Sequence, residues 1–548
     1  MSLHLRPAIE IPPETRRVAL AAFPHGTLCL QLAEHFGALY ADERFADLFP
    51  RRGQPAEAPG RLAWVIVLQF IENLSDRAAA DAVRSRLDWK YLLGLELTDP
   101  GFDHTVLSEF RARLVKKQAD QRLLDDLLQH LHEQGLLKAG GRQRTDSTHV
   151  LAAVRDVNRL ERVGETLRAA LNSLAVVAPE WLGALAPSAW YERYSHRVEN
   201  YHLPKTDEAR QEWAATIGAD GQCLLKAIEG APEPDWLGKI PAVQVLRRVW
   251  AEQYVEHDGR LVWRTVEQMS SPAEMTNSPY DPEARYSTKR CVNWVGYKVH
   301  LTETCEATRP HLIVNVETTP ATTPDDVMVA VIHASLAKRD WLPSEHLVDA
   351  GYTSARVLLE SQREHQVSLV GPVAEDPSWQ ARAATGFDKA HFQVDWVNQI
   401  VTCPCGKQSR SWTAKTTVPG VIAEARFSAK NCTPCPQRAQ CTKAKKEPRI
   451  IGLQAQDEYE VLQKQREAQK TAAFDQQYAL RAGVESTHAQ AIRRSGLRQC
   501  RYIGQAKTHL QHLVTAVAIN LIRVGEWLAG TPLAPTRCSR FAALQGAR

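Results

Sequence analysis

The sequence predicts an α/β protein in which a mixed sheet is flanked by helices. Four strand-like segments, alternating or apolar and rich in β-branched residues, occur between residues 295 and 372, and a helical segment precedes each of the last two. The chain before about residue 140 shows helical patterns instead. At 548 residues the chain is too long for one ordinary core, so we expect several domains or large insertions.

The N-terminal part is predicted to be an all-helical domain. RLAWVIVLQFIENL is an apolar-periodic helix, Ser75 followed by Asp76 supplies a cap for the helix DRAAADAVRSRL, and HTVLSEFRARLVKK follows. Short helices with tight connections and exposed arginines, Arg84 among them, suit a helix-turn-helix-like DNA-binding module. A plain helical bundle is the alternative.

The rest of the chain is predicted to be one core interrupted by two insertions. The predicted divisions are a helical domain (1–140), a core (141–150, 257–372 and, for its C-terminal helices, 456–530), a helical insertion (151–256), a cysteine-containing β and loop insertion (373–455) and a loosely ordered tail (531–548). The order of strands and helices in the core favours a sheet with helices on its faces.

Local charge is more informative than net charge. Lys+Arg 67 against Asp+Glu 63 gives only +4, which does not indicate a nucleic-acid-binding protein. From Ser486 to Gly525, however, there is no acidic residue, and a second basic run extends from Lys430 to Arg449. Each run is either a solvated surface or a site for a polyanion.

Two protein classes are excluded by the sequence. No stretch approaches the roughly 18 apolar residues of a membrane span, and the N-terminus lacks a signal segment, so we expect a cytoplasmic protein without membrane contact. In a reducing compartment the eleven cysteines are not expected to form a disulfide framework.

Five cysteines crowd into one short region and suggest a metal site. The pattern is C-P-C-G, then C-x-x-C, then five residues and Cys441. Cys403, Cys432, Cys435 and Cys441 are predicted to bind Zn²⁺ tetrahedrally, with Cys405 as an alternative fourth ligand or a spare thiol. Free buried thiols and an iron–sulfur cluster are the alternatives. The adjacent lysines suggest a stapled loop that binds DNA backbone.

Three acidic residues stand in unusual places. Asp146 lies in the β-favouring stretch TDSTHV, where an Asp packs poorly. Asp349 ends the apolar strand of HLVDAGYTS, where α/β sheets bind ligands, although an Asp there also caps helices. Glu485, in YALRAGVEST, shares a helix face with Tyr478 and Arg481. A Glu–Arg surface pair is the alternative for Glu485.

These motifs resemble the DDE transposases of bacterial insertion sequences, which have an RNase H-like core. TDSTHV matches the segment of the first Asp, HLVDAGY that of the second, and YALRAGVEST the helix that carries the Glu. SPYDPEARYSTKR, WVGYKVHLTETC and LRQCRYIGQAKTHLQHLVTAVAINLIR extend the likeness over most of the chain from Phe45 to Arg523.

The resemblance implies a catalytic site, its metal ions and its partners. Asp146, Asp349 and Glu485 would hold two Mg²⁺ ions, which Mn²⁺ can replace. Tyr478, Arg481 and Glu485 match a Tyr, Arg, Glu and Lys signature of the subgroup with a long insertion before the Glu. The expected Lys falls at Ile492, so Arg493 or Arg494 would replace it. A nucleoid-associated homodimer would act on the terminal inverted repeats and target DNA.

Several basic residues are predicted to contact double-stranded DNA. Excess guanidinium groups on one face suit phosphate, whose geometry they match. The predicted contacts are Arg84, Lys298, Tyr478, Arg481, Arg493, Arg494, Arg498, Arg501 and Lys507. His149, directly after TDST, is interpreted as structural or phosphate-contacting rather than as a general base. A non-catalytic transposase derivative and an RNase H-like nuclease are the rival functions.

Overall fold

Seven helices precede the first long strand in the part of the chain that the structure describes. The structure is a computed structural model, described here for residues 2–3, 10–155, 157–230, 235–289, 292–417 and 420–532. The helices are α1 (Pro13–Ala22), α2 (Leu28–Phe36), α3 (Pro59–Ile71), α4 (Asp76–Ser85), α5 (Leu87–Leu93), α6 (Thr105–Lys116) and α7 (Arg122–Glu133). Ser75 caps α4 as predicted, because its hydroxyl oxygen accepts a hydrogen bond from the Ala78 amide.

The first strand leads directly into the helical insertion. The elements are β1 (Arg142–Leu151), α8 (Arg159–Val177), α9 (Pro179–Leu185), α10 (Ser188–Tyr194), α11 (Asp207–Gly230), α12 (Pro241–Gln253), β2 (Tyr254–His257) and β3 (Arg260–Trp263). A capping box of Asn158 and Glu161 starts α8. Leu167, Ile217 and Leu246, one from each long helix, are fully buried in a separate cluster. The insertion therefore folds around its own core.

A six-stranded mixed sheet incorporates β1 at its centre. Its further elements are β4 (Arg285–Lys289), β5 (Val292–Thr304), β6 (Ile313–Pro320), α13 (Met328–Ala337), β7 (Glu345–Leu347), α14 (Ala355–His365) and β8 (Ser368–Val370). β5 pairs antiparallel with β1, β4 and β6, whereas β7 pairs in parallel with β1 and with β8. Parallel neighbours need a crossover, which α14 supplies between β7 and β8. The predicted α/β class is confirmed.

The cysteine-containing insertion is a small β and loop unit. Its elements are α15 (Trp379–Ala383), β9 (Gln393–Asp395), β10 (Ile400–Thr402), β11 (Ser411–Thr417), β12 (Gly420–Arg426), α16 (Ala429–Cys432), α17 (Arg438–Cys441) and β13 (Ile450–Leu453). β9 and β10 form a hairpin, and β11, β12 and β13 form an antiparallel sheet. Phe392, Val401, Phe427 and Ile451 form its core.

The C-terminal helices are shorter than the sequence pattern suggests. They are α18 (Gln456–Ala468), α19 (Ala472–Ala479), α20 (Gly483–Ser495) and α21 (Gln505–Leu528). Thr471 caps α19 by accepting a hydrogen bond from the Phe474 amide. The single helix predicted to carry Tyr478, Arg481 and Glu485 on one face is interrupted. A 3-10 turn, Leu480–Ala482, then separates α19 from α20. The predicted tail lies outside the described residues from residue 533 onwards.

One hydrophobic core joins the N-terminal helices to the sheet. α3 and α21 are buried along most of their length, as expected for helices that are apolar on several faces, and they pack against each other. The same cluster includes Val299 and Val316 of the sheet. Asn520 of α21 also donates to and accepts from the backbone of Ile313 at the start of β6. None of the described helices is long and apolar enough to cross a membrane. The boundaries of the predicted domains remain predictions.

Candidate active site

Two aspartates lie side by side where β1 and β7 pair. The register places Arg144 of β1 opposite Leu347 of β7. Asp146 and Asp349 each lie two residues further along their own strand direction. Asp349 follows β7 at the carboxyl edge of the sheet. Its Oδ1 accepts a 2.8 Å hydrogen bond from the Gly351 amide, so the capping role considered from the sequence is also present. The Oδ2 atom faces the guanidinium of Arg481.

A single guanidinium group joins the three predicted acids. Nη2 of Arg481 lies 2.8 Å from Oδ2 of Asp146 and 3.8 Å from Oδ2 of Asp349. Nη1 of Arg481 lies 3.0 Å from Oε1 of Glu485. The Glu–Arg pair considered from the sequence is therefore present, but it is one contact of three. Asp146, Asp349 and Glu485, which are far apart in sequence, meet at one point of the fold.

Burial dominates the electrostatics of this point. Burial raises the pKa of Asp146, and the carboxylate of Asp349 raises it further, against the opposing effects of Arg481 and the Ser147 amide. Burial lowers the pKa of Arg481, but the neighbouring Asp146, Tyr478 and Asp349 raise it by more, so the guanidinium stays charged. The side chains of Asp146 and Arg481 are each 13% exposed, whereas that of Glu485 is 65% exposed.

Two family models match the chain. Residues 402–525 match a model described as Transposase DDE domain, and this segment contains Arg481 and Glu485. This match indicates a DDE transposase. Residues 18–113 of the transposase match a second model, described as Transposase domain (DUF772), which covers most of α1 to α6. No curated protein matches the chain.

A buried ion network fixes the helix that carries Glu485 in the transposase. Glu303 of β5 is fully buried, and its carboxylate accepts hydrogen bonds from Arg144 and from Arg523, each at 2.7 Å. Thr487 of α20 donates a third bond to Glu303, at 2.6 Å. The two arginines and the Thr487 hydroxyl hold the pKa of Glu303 below its usual value despite burial. β1, β5, α20 and α21 are therefore joined at one carboxylate.

The same network positions the turn that carries Arg481. Nη1 of Arg144 donates a 2.5 Å hydrogen bond to the carbonyl oxygen of Leu480. Gly483, at the start of α20, passes so close to the Arg144 guanidinium that a Cβ atom at this position would overlap it. Glycine is therefore required where the turn crosses the buried arginine.

Tyr478 lies next to the acids, and its ring packs against another aromatic ring. Its ring stacks on Phe474, with 5.6 Å between ring centroids and an interplanar angle of 13°. Leu347 and Val370, at the ends of the two parallel strands, belong to the same small cluster. Burial raises the pKa of Tyr478, so the phenol is neutral and able to donate a hydrogen bond. The transposase thus presents this hydroxyl group beside the three carboxylates.

A fourth acid near the site was not singled out from the sequence. Oδ1 of Asp325 lies 3.0 Å from Nζ of Lys298, and Oδ2 accepts a 3.2 Å hydrogen bond from the hydroxyl of Ser147, the residue after Asp146. Lys298 also donates to the Thr323 carbonyl oxygen. Lys298 was predicted to contact DNA, and the structure shows it paired with Asp325. The acidic pair at the end of VETTPATTPDD was the available signal.

Other predicted DNA contacts border an open groove at the site. Asp146, Glu485, Ile492, Arg493 and Arg498 line this groove. Arg493, Arg494 and Lys507 are exposed, and Arg498 donates a 3.1 Å hydrogen bond to the Thr148 hydroxyl. Ile492, where the resemblance expects a lysine, also packs against the main core. The two arginines that follow it lie on the exposed face of α20.

Two predicted DNA contacts lie away from this groove. Arg501 stacks over Phe70, 4.3 Å from the ring centroid, and donates to the Leu74 carbonyl oxygen, so it ties the segment before α21 to α3. Arg84 is exposed on α4, where it donates to the Pro100 carbonyl oxygen. Their predicted DNA contacts remain untested.

His149 and the cysteines occupy two further places. The ring of His149 lies 5.4 Å from that of Trp294, and burial lowers the pKa of His149. The five clustered cysteines, Cys403, Cys405, Cys432, Cys435 and Cys441, line one cavity of the β and loop insertion. Among the described residues, no group of three or more His, Cys, Asp or Glu side chains is placed so that it could hold a metal ion.

Proposed function

We propose that this protein cuts DNA at the ends of an insertion sequence and joins those ends to target DNA, using Asp146, Asp349 and Glu485. The observation that carries the proposal is the convergence of these three carboxylates on Arg481. Asp146 on β1, Asp349 just after the parallel strand β7 and Glu485 at the start of α20 form an open group of oxygen ligands. Such a group can hold the cations that phosphoryl transfer on a long polymer requires.

The order of the strands supports an RNase H-like core. Along the chain, β1, β5 and β6 form an antiparallel meander, and β7 and β8 are then added on the other side of β1, parallel to it. The first Asp lies on the central strand and the second follows the adjacent parallel strand. The helical and cysteine-containing insertions leave this order intact.

The three acids fit divalent cations, because oxygen ligands that converge on one positive group also suit a hard ion. Asp146, Asp349 and Glu485 would hold two Mg²⁺ ions, which Mn²⁺ can replace. Such ions activate the attacking oxygen and stabilise the leaving oxygen in phosphoryl transfer. The same structure supports the Mg-dependent DDE chemistry that the family resemblance implies.

Arg481 would exchange partners during the reaction. If Asp146 and Glu485 bound cations, the Arg481 guanidinium would lose these two partners but would stay close to both carboxylates. The scissile phosphate must lie at the same place. A guanidinium matches two phosphate oxygens at once. Tyr478, whose ring stacks on Phe474, would donate a hydrogen bond from its hydroxyl group to a neighbouring phosphate oxygen. The predicted DNA contacts of both residues are compatible with their positions beside the acids.

The proposed chemistry has two steps at one site. Water attacks the phosphorus atom at the element's end, the bond to the 3′-oxygen breaks, and a 3′-hydroxyl and a 5′-phosphate result. The 3′-hydroxyl then attacks a target phosphodiester, and that phosphodiester's own 3′-oxygen leaves with a proton. Each step replaces one P–O bond by another. The main task of the protein is therefore to position the attacking oxygen and the leaving oxygen on either side of the phosphorus atom.

The partners follow from the two ends that must be joined. A DNA-bound homodimer would bring two active sites to two terminal inverted repeats and one target. The N-terminal helices, with Arg84 exposed, would recognise the repeats, and Arg493, Arg494, Arg498 and Lys507 would follow the backbone. The protein would work in the bacterial cytoplasm, associated with the nucleoid.

Joining assays separate the proposal from its rivals. The protein is incubated in Mg²⁺ with pre-cut terminal repeats and a supercoiled plasmid. We expect the repeats to become covalently joined to the plasmid. A protein that only nicks the plasmid is a nuclease, and a protein that binds the repeats without either reaction is a non-catalytic derivative. Either of these outcomes contradicts the proposed function.

A further inference from the structure

Five cysteines from three segments of the β and loop insertion surround one small cavity. Cys403 and Cys405 follow β10, Cys432 ends α16, Cys435 lies in the next turn and Cys441 ends α17. The cavity they line measures about 30 Å³, enough for one ion or a water-sized occupant. Phe392 and Phe427 also line the cavity.

The backbone turn after Cys403 donates a hydrogen bond to its sulfur. The amide of Lys407 donates a hydrogen bond to Sγ of Cys403, at 3.4 Å, and the amide of Gly406 donates to the Cys403 carbonyl oxygen. Gly406 has φ of +73°, so the turn C-P-C-G-K folds back and brings the Lys407 amide to the sulfur.

The side chains of the five cysteines are close to one another, because all five line the same small cavity. A divalent cation can bind several thiolates at once and neutralise their charge.

We infer that this cluster holds one structural Zn²⁺ ion bound by four thiolates, those of Cys403, Cys432, Cys435 and Cys441, with Cys405 as the spare thiol. Cys403, Cys432 and Cys441 pack against the hydrophobic core of the insertion, which holds their backbone in place. Cys405 is exposed, as expected of a thiol outside the shell. Among the described residues, no three thiols are placed so that they could hold an ion as they stand, so the proposed site requires the cysteine side chains to change rotamer on binding.

The proposed ion would order a basic loop. Arg438 lies between Cys435 and Cys441, and its guanidinium donates to the carbonyl oxygens of Cys432, Ala444, Lys445 and Glu447. The loop that Arg438 holds carries the exposed lysines Lys443, Lys445 and Lys446. An ion that fixes α16 and α17 thus fixes three positive charges next to each other, which suits a run of phosphates. This DNA role rests on the proposed function, whereas the ion site does not.

Elemental analysis of the purified full chain tests the ion site without any variant. We expect one zinc per chain, retained through dialysis and released by a mercurial that blocks thiols. Replacement by Co²⁺ should give the intense visible absorption of a tetrahedral thiolate site. Iron with inorganic sulfide, or five thiols that react freely with no bound metal, would overturn the inference.

Serine variants identify the ligands. Cys432→Ser and Cys441→Ser should each lose zinc, and Cys405→Ser should keep it. Cys223→Ser is the matched control, since Cys223 is exposed on α11, outside the insertion. Zinc retained in both ligand variants contradicts the assignment, and loss of zinc in Cys405→Ser moves Cys405 into the shell.

The loop is tested separately from catalysis. Lys445→Ala with Lys446→Ala should keep zinc and lower the slope of log K against log salt for duplex DNA by about 2. An unchanged slope with normal zinc content removes the DNA role of the loop and leaves the ion site standing. Loss of strand transfer with zinc retained would likewise leave the site standing.

Discussion

Arg481 and Asp146 form an ion pair of 2.8 Å, between side chains that are each only 13% exposed. The pair connects the turn before α20 to the central strand of the sheet. Because Arg481 also reaches Asp349 and Glu485, it supplies the positive charge that three neighbouring carboxylates require. The arginine and the proposed ions therefore compete for the same oxygen atoms.

Arg481→Ala should lower the stability of the metal-free protein and increase its response to metal. Removing the guanidinium leaves Asp146 and Asp349 unpaired, at a cost of about 1–3 kcal/mol. Mg²⁺ should then raise the melting temperature more than it does in the unaltered protein. Thermal unfolding with and without Mg²⁺ measures both effects, and Arg494→Ala, on the exposed face of α20, is the control. An unaltered response to Mg²⁺ contradicts the competition.

Glu303→Gln should be strongly destabilising. The change leaves the buried Arg144 and the largely buried Arg523 without a charged partner, at a cost of about 3–5 kcal/mol. Because the folded-state pKa of Glu303 is below its usual value, its contribution is complete at neutral pH and is lost as the pH falls through that folded-state pKa. Denaturant unfolding should therefore show a difference between the two proteins that shrinks in acid. A difference independent of pH would contradict this explanation.

Gly483→Ala should impair catalysis more than it impairs folding. The added Cβ overlaps the Arg144 guanidinium, so the start of α20 and Glu485 must shift. A displacement of about 1 Å at a catalytic group reduces rates by roughly a hundredfold. Nicking rates in Mg²⁺ measure the effect. Gly452→Ala, whose Cβ meets nothing within 4 Å, should nick at the normal rate; equal rates for the two variants would contradict the argument.

Arginines that look alike in the sequence should behave differently. Arg494→Ala and Arg493→Ala should each reduce the salt dependence of DNA binding by about one unit of slope, since each removes one phosphate contact. Arg501→Ala should instead lower the free energy of unfolding, because Arg501 stacks on Phe70 and binds the Leu74 carbonyl oxygen. Binding titrations at several salt concentrations, with unfolding curves, distinguish the two classes.

The sequence could predict the acids but not what holds them. Asp146 and Asp349 stood out because an Asp is unusual in a strand and informative at a strand's end. Glu303 could not be recognised, since a glutamate in an alternating strand resembles a solvent-facing residue until the chain places Arg144 and Arg523 on either side of it. The ion pairs of Arg481 with Asp146 and Asp349 could not be predicted, because they depend on a 3-10 turn that the helical periodicity hides.

The helix-rich segments were predictable for a different reason. α3 and α21 are apolar over long stretches, and such a pattern has few alternatives to a buried helix. That the two helices pack together, although they lie at opposite ends of the chain, depends on the whole fold. Asp325 was missed because the acidic pair in which it occurs resembles an ordinary polar turn.

The most direct test of the account is nicking of supercoiled DNA in Mg²⁺ by Asp349→Asn. This change keeps the cap on the Gly351 amide available through the remaining oxygen but removes the charge needed to hold a divalent ion. Asp475→Asn, at an exposed position on α19, is the control. We predict that Asp349→Asn is folded and inactive while Asp475→Asn nicks normally. Nicking by Asp349→Asn at the rate of the unaltered protein would contradict the assignment of these three acids as the active site.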